Sequence, residues 1–295
     1  MPRVLRLLWR RAGDLIGQRG EASIGGGMVV ALALFAWLGP VFWRVGPLGV
    51  NLSESLAGPS LLHPFGTDEV GRDVLARVMA GGQVDIIVAV VVSLSGGIVG
   101  IAIGLLAASL GRLVDQVAMR AIDALLAFPP LILALAISVA LGAGTIPASI
   151  GIAISTVPFF ARLMRSEVLR VRALPFVEAA VASGGRPTHV VLRHILPHTW
   201  RVMAIQASSV VGYAVLTLAA LGFVGLGVQA PTAEWGTMIT TGLSYVLSGQ
   251  WWIGVLPGFA LLGLVVGFNL IADGLGAMSI GAVALGASAT VGPPR

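Results

Sequence analysis

One polar stretch of the sequence combines side chains that could do acid–base or metal chemistry. Residues 176–197, FVEAAVASGGRPTHVVLRHILP, hold one Glu, two Arg and two of the chain's four His. No His pair has the H-E-x-x-H spacing of a zinc site, no glycine-rich phosphate loop occurs, and there is no Cys. The sequence therefore predicts no catalytic residue and no metal site, and it gives this chain no phosphate loop with which to hydrolyse ATP.

The composition indicates that these few polar groups sit in a membrane protein. Of 295 residues, 57% are hydrophobic and only 11% are charged, with a mean hydropathy of +0.96. A soluble domain has about 25% charged residues. We therefore expect an all-α polytopic membrane protein in contact with membrane lipid. The net charge of +5 is distributed so unevenly that it indicates orientation in the membrane and not a nucleic-acid partner.

Six transmembrane helices are predicted from the apolar runs. The first run is interpreted as an uncleaved span, not as a signal peptide. The predicted spans are Ile24–Trp43, Ile86–Gly111, two between Asp123 and Arg162 divided at Gly142–Pro147, Met203–Gly222 and Trp252–Ala272. With both termini in the cytoplasm, all but three of the 18 arginines face inward, as the positive-inside rule requires.

These spans divide the chain into four parts. We expect a cytoplasmic N-terminal tail (1–23), a first span with an external loop (24–80), a five-helix core (81–275) and a C-terminal tail (276–295). A weak seventh span in the tail is the alternative. The polar stretch lies at about 172–200, called the 172–200 segment below, and falls on the cytoplasmic side.

The positions of glycine and proline in the 172–200 segment predict two short helices. Pro175 suits the first turn of a helix and Gly184 suits a helix end. Pro187 can begin a second helix, which Pro197 is expected to break. Such a rigid protrusion suits docking to another protein. An amphipathic loop lying on anionic lipid is the alternative.

The segment resembles the EAA loop of ABC-importer permeases, in the version found in the dipeptide/oligopeptide/nickel branch. The residues that match are Glu178, Ala179, Ala180, Gly184, His194, Leu196 and Pro197. The resemblance implies that these residues couple the chain to a cytoplasmic ATPase. Gly185 and Arg186 depart from the usual residues of that loop.

A second stretch, HPFGTDEVGRDVLARVMAGG (63–82), resembles the signature of the same branch after its first span. The signature residues are Gly66, Thr67, Asp68, Gly71, Arg72 and Asp73. Glycines permit tight turns, and Thr67 and Asp68 are typical turn and N-cap residues. We interpret this loop as structural in preference to a substrate-receiving site.

Further matches at 115–129, 221–239 and 257–275 extend the likeness over about residues 25–275. Two departures are Asp85, where the family has a small or hydroxyl residue, and the absence of the usual motif after residue 275. Among polar residues of the spans, Asp123 is expected to pair locally with Arg120 and Asn269 to bond between helices. Asp273 is expected at a span end.

The resemblance implies a type I ABC importer fold and a non-enzymatic subunit of a prokaryotic inner-membrane complex. The implied partners are a homologous second permease subunit, two cytoplasmic ABC ATPase domains and an external solute-binding protein. ATP and Mg would be bound by the ATPases, and no cofactor by this chain. Di- or oligopeptides are the expected cargo, with nickel chelates or glutathione as alternatives. Outside this class, a stand-alone secondary transporter and an accessory scaffold remain open.

Overall fold

The computed structural model describes the backbone of residues 2–289 and the side chains of residues 20–277, and this part is built from helices. The α-helices are α1 (Pro2–Phe42), α2 (Val74–Ser109), α3 (Arg112–Leu126), α4 (Pro130–Leu141), α5 (Thr145–Arg172), α6 (Pro175–Ala182), α7 (Pro187–Val190), α8 (Leu196–Phe223), α9 (Trp235–Val246) and α10 (Trp252–Ala289). A 3₁₀ turn at Leu52–Glu54 and a π turn at Val191–Ile195 complete them. The all-α prediction is confirmed.

Five helices of the described part are long and apolar enough to cross a membrane, so the chain is a multi-pass membrane protein. They are Gly20–Phe42, Val74–Ser109, Thr145–Arg172, Pro187–Phe223 and Trp252–Ala277. A sixth span exists if α3 and α4, which meet at 86°, count as one. The count of six is confirmed in that sense.

The predicted third span after Asp123 is bent and begins earlier, at Arg112. The helix stops at Leu126, and α4 starts afresh at Pro130. Pro129 lacks the N–H that a helix needs, and proline also disfavours helical geometry at the residue before it. The 12 residues of α4 extend only about 18 Å, short of the roughly 30 Å of a bilayer core.

Two other boundaries differ from the sequence prediction. The second span begins at Val74 and not at Ile86, because Arg77 and Asp85 are buried inside α2 instead of marking the membrane edge. The last helix runs past residue 275 to Ala289 without a break. The predicted boundary between the last span and the C-terminal tail, at residue 275, therefore lies inside a helix. The cytoplasmic location of residues 276–295 stays a prediction.

Glycines let the central helices approach closely. A Cβ at Gly100 would lie 2.6 Å from the Phe160 Cβ and the Val157 carbonyl oxygen of α5, and one at Gly104 would lie 2.3 Å from the Ala161 carbonyl oxygen. Small residues at such positions allow backbone-to-backbone packing, which matters in lipid, where the hydrophobic effect does not drive helix association. The main core lies among α2, α5, α8, α9 and α10.

Two polar regions sit at opposite ends of α2. Its first turns contact the loop that holds the 63–82 signature, and its last turns contact the 172–200 segment. A helix of 36 residues is about 54 Å long. The two motifs are therefore separated by more than the thickness of a bilayer core.

Candidate functional site

The 172–200 segment begins as predicted, with a short helix and a tight turn. Pro175 opens α6, and Gly184 ends it with a φ of +81°, a conformation that favours glycine. The Gly184 N–H donates to the Val181 carbonyl (3.0 Å) and the Gly185 N–H to the Ala180 carbonyl (3.1 Å). A Cβ at Gly185 would lie 2.7 Å from the Ala180 oxygen, so this glycine allows the close approach that closes the turn.

The expectation that Pro197 breaks the second helix is wrong. The π turn at Val191–Ile195 leads into α8, and Pro197 occupies the first turn of that helix. The Leu196 N–H reaches back to the Val191 carbonyl, and proline in a first turn loses no required hydrogen bond. The wider turn lets the helix continue through Pro197, and π turns often occur at functional sites.

The inner face of the segment is fastened to the membrane helices. Val177, Val190 and Ile195 are buried against a second hydrophobic core. This core includes Ala108 of α2, Met164, Val168 and Val171 of α5, and Met203 of α8. In addition, the Arg172 guanidinium donates to the Ala108 carbonyl at the end of α2 (3.3 Å), where a cation complements the helix dipole. A force on the segment therefore acts directly on α2, α5 and α8.

The outer face of the segment is open. Glu178 and Ala179 are exposed, and the Glu178 carboxylate has no hydrogen bond or ion pair within the side chains described. Val181 and Leu192 are 57% and 61% exposed. Together with Val177, Val190 and Leu106 of α2, they line a largely apolar groove of about 360 Å³ that lies between the segment and the end of α2.

The matched residues of the loop occupy two parts of this surface. Glu178, Ala179, Ala180 and Gly184 lie on α6 and its turn. In the second part, the His194 ring lies 6.0 Å from the His189 ring, and the His194 carbonyl accepts from His198 Nδ1 (2.6 Å). Leu196 packs on the second core and Pro197 is exposed. These contacts bring the predicted residues together on one protrusion.

At the other end of α2, the signature loop folds tightly around its glycines. Gly66 and Gly71 have φ values of +70° and +75°. A Cβ at Gly71 would lie 1.8 Å from the Asn51 carbonyl oxygen, and one at Gly66 would lie 2.6 Å from Trp252 Nε1. The buried Thr67 hydroxyl accepts from the Ala57 N–H (2.8 Å). Both glycines are therefore required by conformation and by space.

The acidic and basic side chains of the loop form ion pairs with one another. Asp68 accepts from the Val70 and Arg72 backbone N–H groups (3.0 and 2.9 Å) and pairs with Arg72 Nε at 2.6 Å. Arg77 lies 3.4 Å from the same carboxylate and reaches the Pro47 carbonyl. Arg72 thus pairs with Asp68 and not with its neighbour Asp73. This enclosed network supports the structural interpretation of the loop.

Asp73, and not Thr67 or Asp68, caps α2. Its Oδ1 accepts from the Ala76 N–H (2.7 Å) and from Trp43 Nε1 (3.2 Å). Its Oδ2 lies 2.7 Å from His63 Nδ1. The hydrogen bond to Asp73 raises the pKa of His63 above its ordinary value, an effect that burial opposes and Glu54 reinforces. Asp73 therefore ties the loop, α1 and α2 together.

Two of the three polar residues predicted in the spans, Asp123 and Asn269, take other roles. Asp123 pairs with Arg162 of α5 (2.5 Å) and not with Arg120, so it links two helices. Asn269 Nδ2 donates to the Val265 carbonyl of its own helix (2.8 Å), which contradicts the expected bond between helices. Asp273 is exposed within α10 and has no partner among the described side chains.

Sequence reasoning missed a buried carboxylate at the start of α9. Glu234 is the N-cap of this helix and accepts from the Gly236 and Thr237 N–H groups (2.6 and 2.7 Å). Asp85 accepts from the Trp235 N–H (3.0 Å), and Trp235 Nε1 donates to the Val78 carbonyl (2.8 Å). An acidic residue directly before a helix start is the signal that could have identified the cap.

Comparisons with known proteins agree with this architecture. The family described as "Binding-protein-dependent transport system inner membrane component" matches residues 100–281. The probable D,D-dipeptide transport system permease protein DdpC of Escherichia coli K12 is 41% identical, covering 84% of this chain and 83% of that protein. The dipeptide transport system permease protein DppC of Alkalihalophilus pseudofirmus is 38% identical, covering 90% and 88%.

Solved structures extend the agreement to the fold. An inward-facing structure of the MetNI methionine ABC transporter superposes with a TM-score of 0.53 at 19% identity, covering 70% of this chain and 95% of that chain. A second crystal form of the same transporter gives 0.52 at 18% identity. These likenesses confirm the predicted importer-permease fold. The family match and the relatives show that the chain belongs to the family of binding-protein-dependent transport system inner membrane components.

Proposed function

We propose that the chain is the transmembrane subunit of an ATP-driven importer that carries di- or oligopeptides across the inner membrane of a prokaryote. The names of its relatives, which are dipeptide and D,D-dipeptide permeases, support the cargo class. The partners proposed are a homologous second permease subunit, two cytoplasmic ATPase domains and an external solute-binding protein. ATP and Mg belong to the ATPases, and this subunit contributes no catalytic residue.

The observation that carries the proposal is the division of the 172–200 segment into two faces. Its inner face is buried in the second core, whereas its outer face presents an unpaired Glu178 and the exposed side chains of Val181 and Leu192. A carboxylate without a partner and exposed apolar side chains on the same segment suit a protein surface that supplies a cation and apolar side chains. We assign this surface to an ATPase.

The contacts of the segment suggest how ATP drives transport. ATP binding closes the two ATPase domains, and each domain pushes on the segment docked to it. Val177 and Ile195 pass this displacement to α5 and α8, and Arg172 passes it to the end of α2. The helices then rock as rigid bodies and open the substrate path, at the interface with the second subunit, to the other side.

The orientation follows from the same assignment. The 172–200 segment lies in the cytoplasm beside the ATPases, and the signature loop faces the solute-binding protein at the other end of α2. Residues 22 and 25 of α1 contact residues 274 and 267–271 of α10, so both termini extend from the segment end of the bundle. This arrangement supports cytoplasmic termini, as the distribution of arginines predicts.

The experiment that tests the proposal is co-purification from gently solubilised membranes. The variant Glu178→Arg with Leu192→Asp reverses the free charge and places a charge at the groove. Leu247→Asp, at a residue that is 97% exposed just after α9, is the matched control. We expect the native chain and the control to retain an ATPase and a second permease, and the double variant to lose only the ATPase.

Uptake of labelled dipeptides by cells carrying each form gives the second readout. Uptake should fall to background in the double variant and persist in the control.

A chain that purifies alone in all three forms would contradict the importer assignment and favour a stand-alone carrier. A double variant that keeps the ATPase would refute the docking role of the segment. If ATPase and permease are retained but dipeptides are not taken up, the cargo class is wrong.

A further inference from the structure

Two carboxyl groups meet inside the protein, where α9 begins against the side of α2. Asp85 and Glu234 are both fully buried, and their side chains are adjacent. Burial of an ionised group without compensation is costly, so each carboxyl group requires an explanation. The proposed function uses neither of them.

Glu234 is arranged as an anion. Both of its oxygens accept backbone hydrogen bonds, one from Gly236 and one from Thr237, at the first turn of α9. The N-terminus of a helix stabilises a negative charge through its free N–H groups and its dipole. A proton on Glu234 would have to displace one of these bonds.

Asp85 is arranged differently. Its Oδ2 accepts from the Trp235 N–H, but within residues 20–277 no donor reaches its buried Oδ1. The group beside it is the Glu234 carboxylate, which offers acceptor oxygens only. Two ionised carboxylates in contact and away from water would repel each other strongly, so such a pair keeps one proton.

We propose that Asp85 is a neutral carboxylic acid that binds one proton on Oδ1 and donates it to the Glu234 carboxylate, which fastens α9 to α2. Oδ2 then serves as the carbonyl oxygen that accepts from Trp235. Loss of the proton to solvent converts the hydrogen bond into a contact between two anions. The site is therefore a single-proton binding site that holds the start of α9 in place.

The surroundings isolate this pair from other charges. Within the described side chains, the charge that acts on Asp85 comes from Glu234 alone. Arg77, two turns earlier on α2, is paired with Asp68. Gly222 of α8 lies beside Glu234, and Ala36 of α1 lies beside Gly82, three residues before Asp85; neither titrates. Among the side chains of residues 20–277, no cation pairs with either carboxyl group to replace the proton.

The test compares two amide variants of the whole chain, purified with whatever partners it retains. The amide of Asp85→Asn can donate to Glu234 and accept from Trp235, so it imitates the protonated acid but does not titrate. The amide of Glu234→Gln presents a donor to backbone N–H groups and so loses an acceptor. Both are made in a His63→Gln background, since His63 also makes a pH-dependent contact.

Melting temperatures measured between about pH 6 and about pH 9 test the proposal, because burial disfavours the ionised form of a carboxyl group. At neutral pH we expect Asp85→Asn to melt like its parent and Glu234→Gln to melt at least about 4 °C lower. Towards alkaline pH the parent should lose melting temperature while Asp85→Asn stays constant. The infrared C=O band of a protonated carboxylic acid should be present in the parent and absent from Asp85→Asn.

Three results would overturn the proposal. The first is equal destabilisation by the two amide variants, and the second is the same pH profile for the parent and Asp85→Asn. The third is a rise in the parent's melting temperature with sodium chloride, but not with choline chloride, at neutral pH. That result would assign the site to a sodium ion instead of a proton.

Discussion

Two glycines with the same backbone conformation differ in why they must be glycine. Gly71 and Gly225 have nearly the same φ, +75° and +76°. A Cβ at Gly71 would collide with the Asn51 backbone, whereas a Cβ at Gly225 has nothing within 4 Å. Conformation alone costs an L-residue about 1–2 kcal/mol at such a φ. Comparing alanine at the two positions therefore distinguishes the cost of backbone strain from the cost of a steric clash.

We predict that Gly71→Ala destabilises the protein by more than about 3 kcal/mol, because the loop must also shift away from Asn51. Gly225→Ala should cost only about 1–2 kcal/mol. Thermal melting of the two purified variants measures the difference, and limited proteolysis of the loop checks its location. Equal melting temperatures of the two variants would show that the loop moves away from Asn51 without loss of stability, which would contradict the prediction.

The ion pair between His63 and Asp73 predicts a pH effect at the same end of the molecule. Because the pKa of His63 is raised in the folded protein, its stabilisation is complete below the ordinary value near 6.5. It is lost as the pH rises through the raised folded value. The melting temperature of His63→Gln should therefore decline less than that of the native chain in this window, because only the contribution of His63 is removed.

His198→Gln serves as the control, since His198 lies in the 172–200 segment at the far end of α2. It should retain the decline of the native chain. A decline that persists unchanged in His63→Gln would assign the pH effect to another group.

The helices could be predicted from the sequence wherever an apolar run was uninterrupted and uncharged. The break at Gly142–Pro147 and the turn at Gly184 were predicted from local residue types, since glycine and proline act through their own backbones. The start of α2 at Val74 and the continuation of the helix through Pro197 were not predicted. Asp85 has its partners about 150 residues away, and the π turn depends on packing against α5, which no local pattern reveals.

The packing of α2 against α5 gives a prediction for whole helices. Gly100→Leu should force the two helices apart and lower stability by about 3 kcal/mol or more, because its Cβ alone lies 2.6 Å from Phe160. Gly26→Leu in α1, where nothing lies within 4 Å of a Cβ, should have little effect. Thermal melting and yield from membranes compare the two. Similar losses in both variants would indicate an effect of leucine on the helix alone.

At the scale of the whole molecule, the account depends on where the ATPase binds. The second core connects the 172–200 segment to three membrane helices, and the segment and the signature loop occupy opposite ends of α2. Transport in this account requires force at one end and substrate delivery at the other. The absence of cysteine allows each surface to be labelled through a single introduced thiol.

The measurement that tests this claim most directly is crosslinking from such single thiols in intact membranes. Leu192→Cys lies at the groove, and Leu61→Cys, at a residue that is 98% exposed, lies in the loop at the other end of α2. We predict that a short thiol-to-amine crosslinker joins Leu192→Cys to an ATPase subunit, more strongly with ATP present, and that Leu61→Cys yields no ATPase adduct. ATPase adducts from Leu61→Cys, or none from Leu192→Cys in a complex that contains the ATPase, would contradict the account.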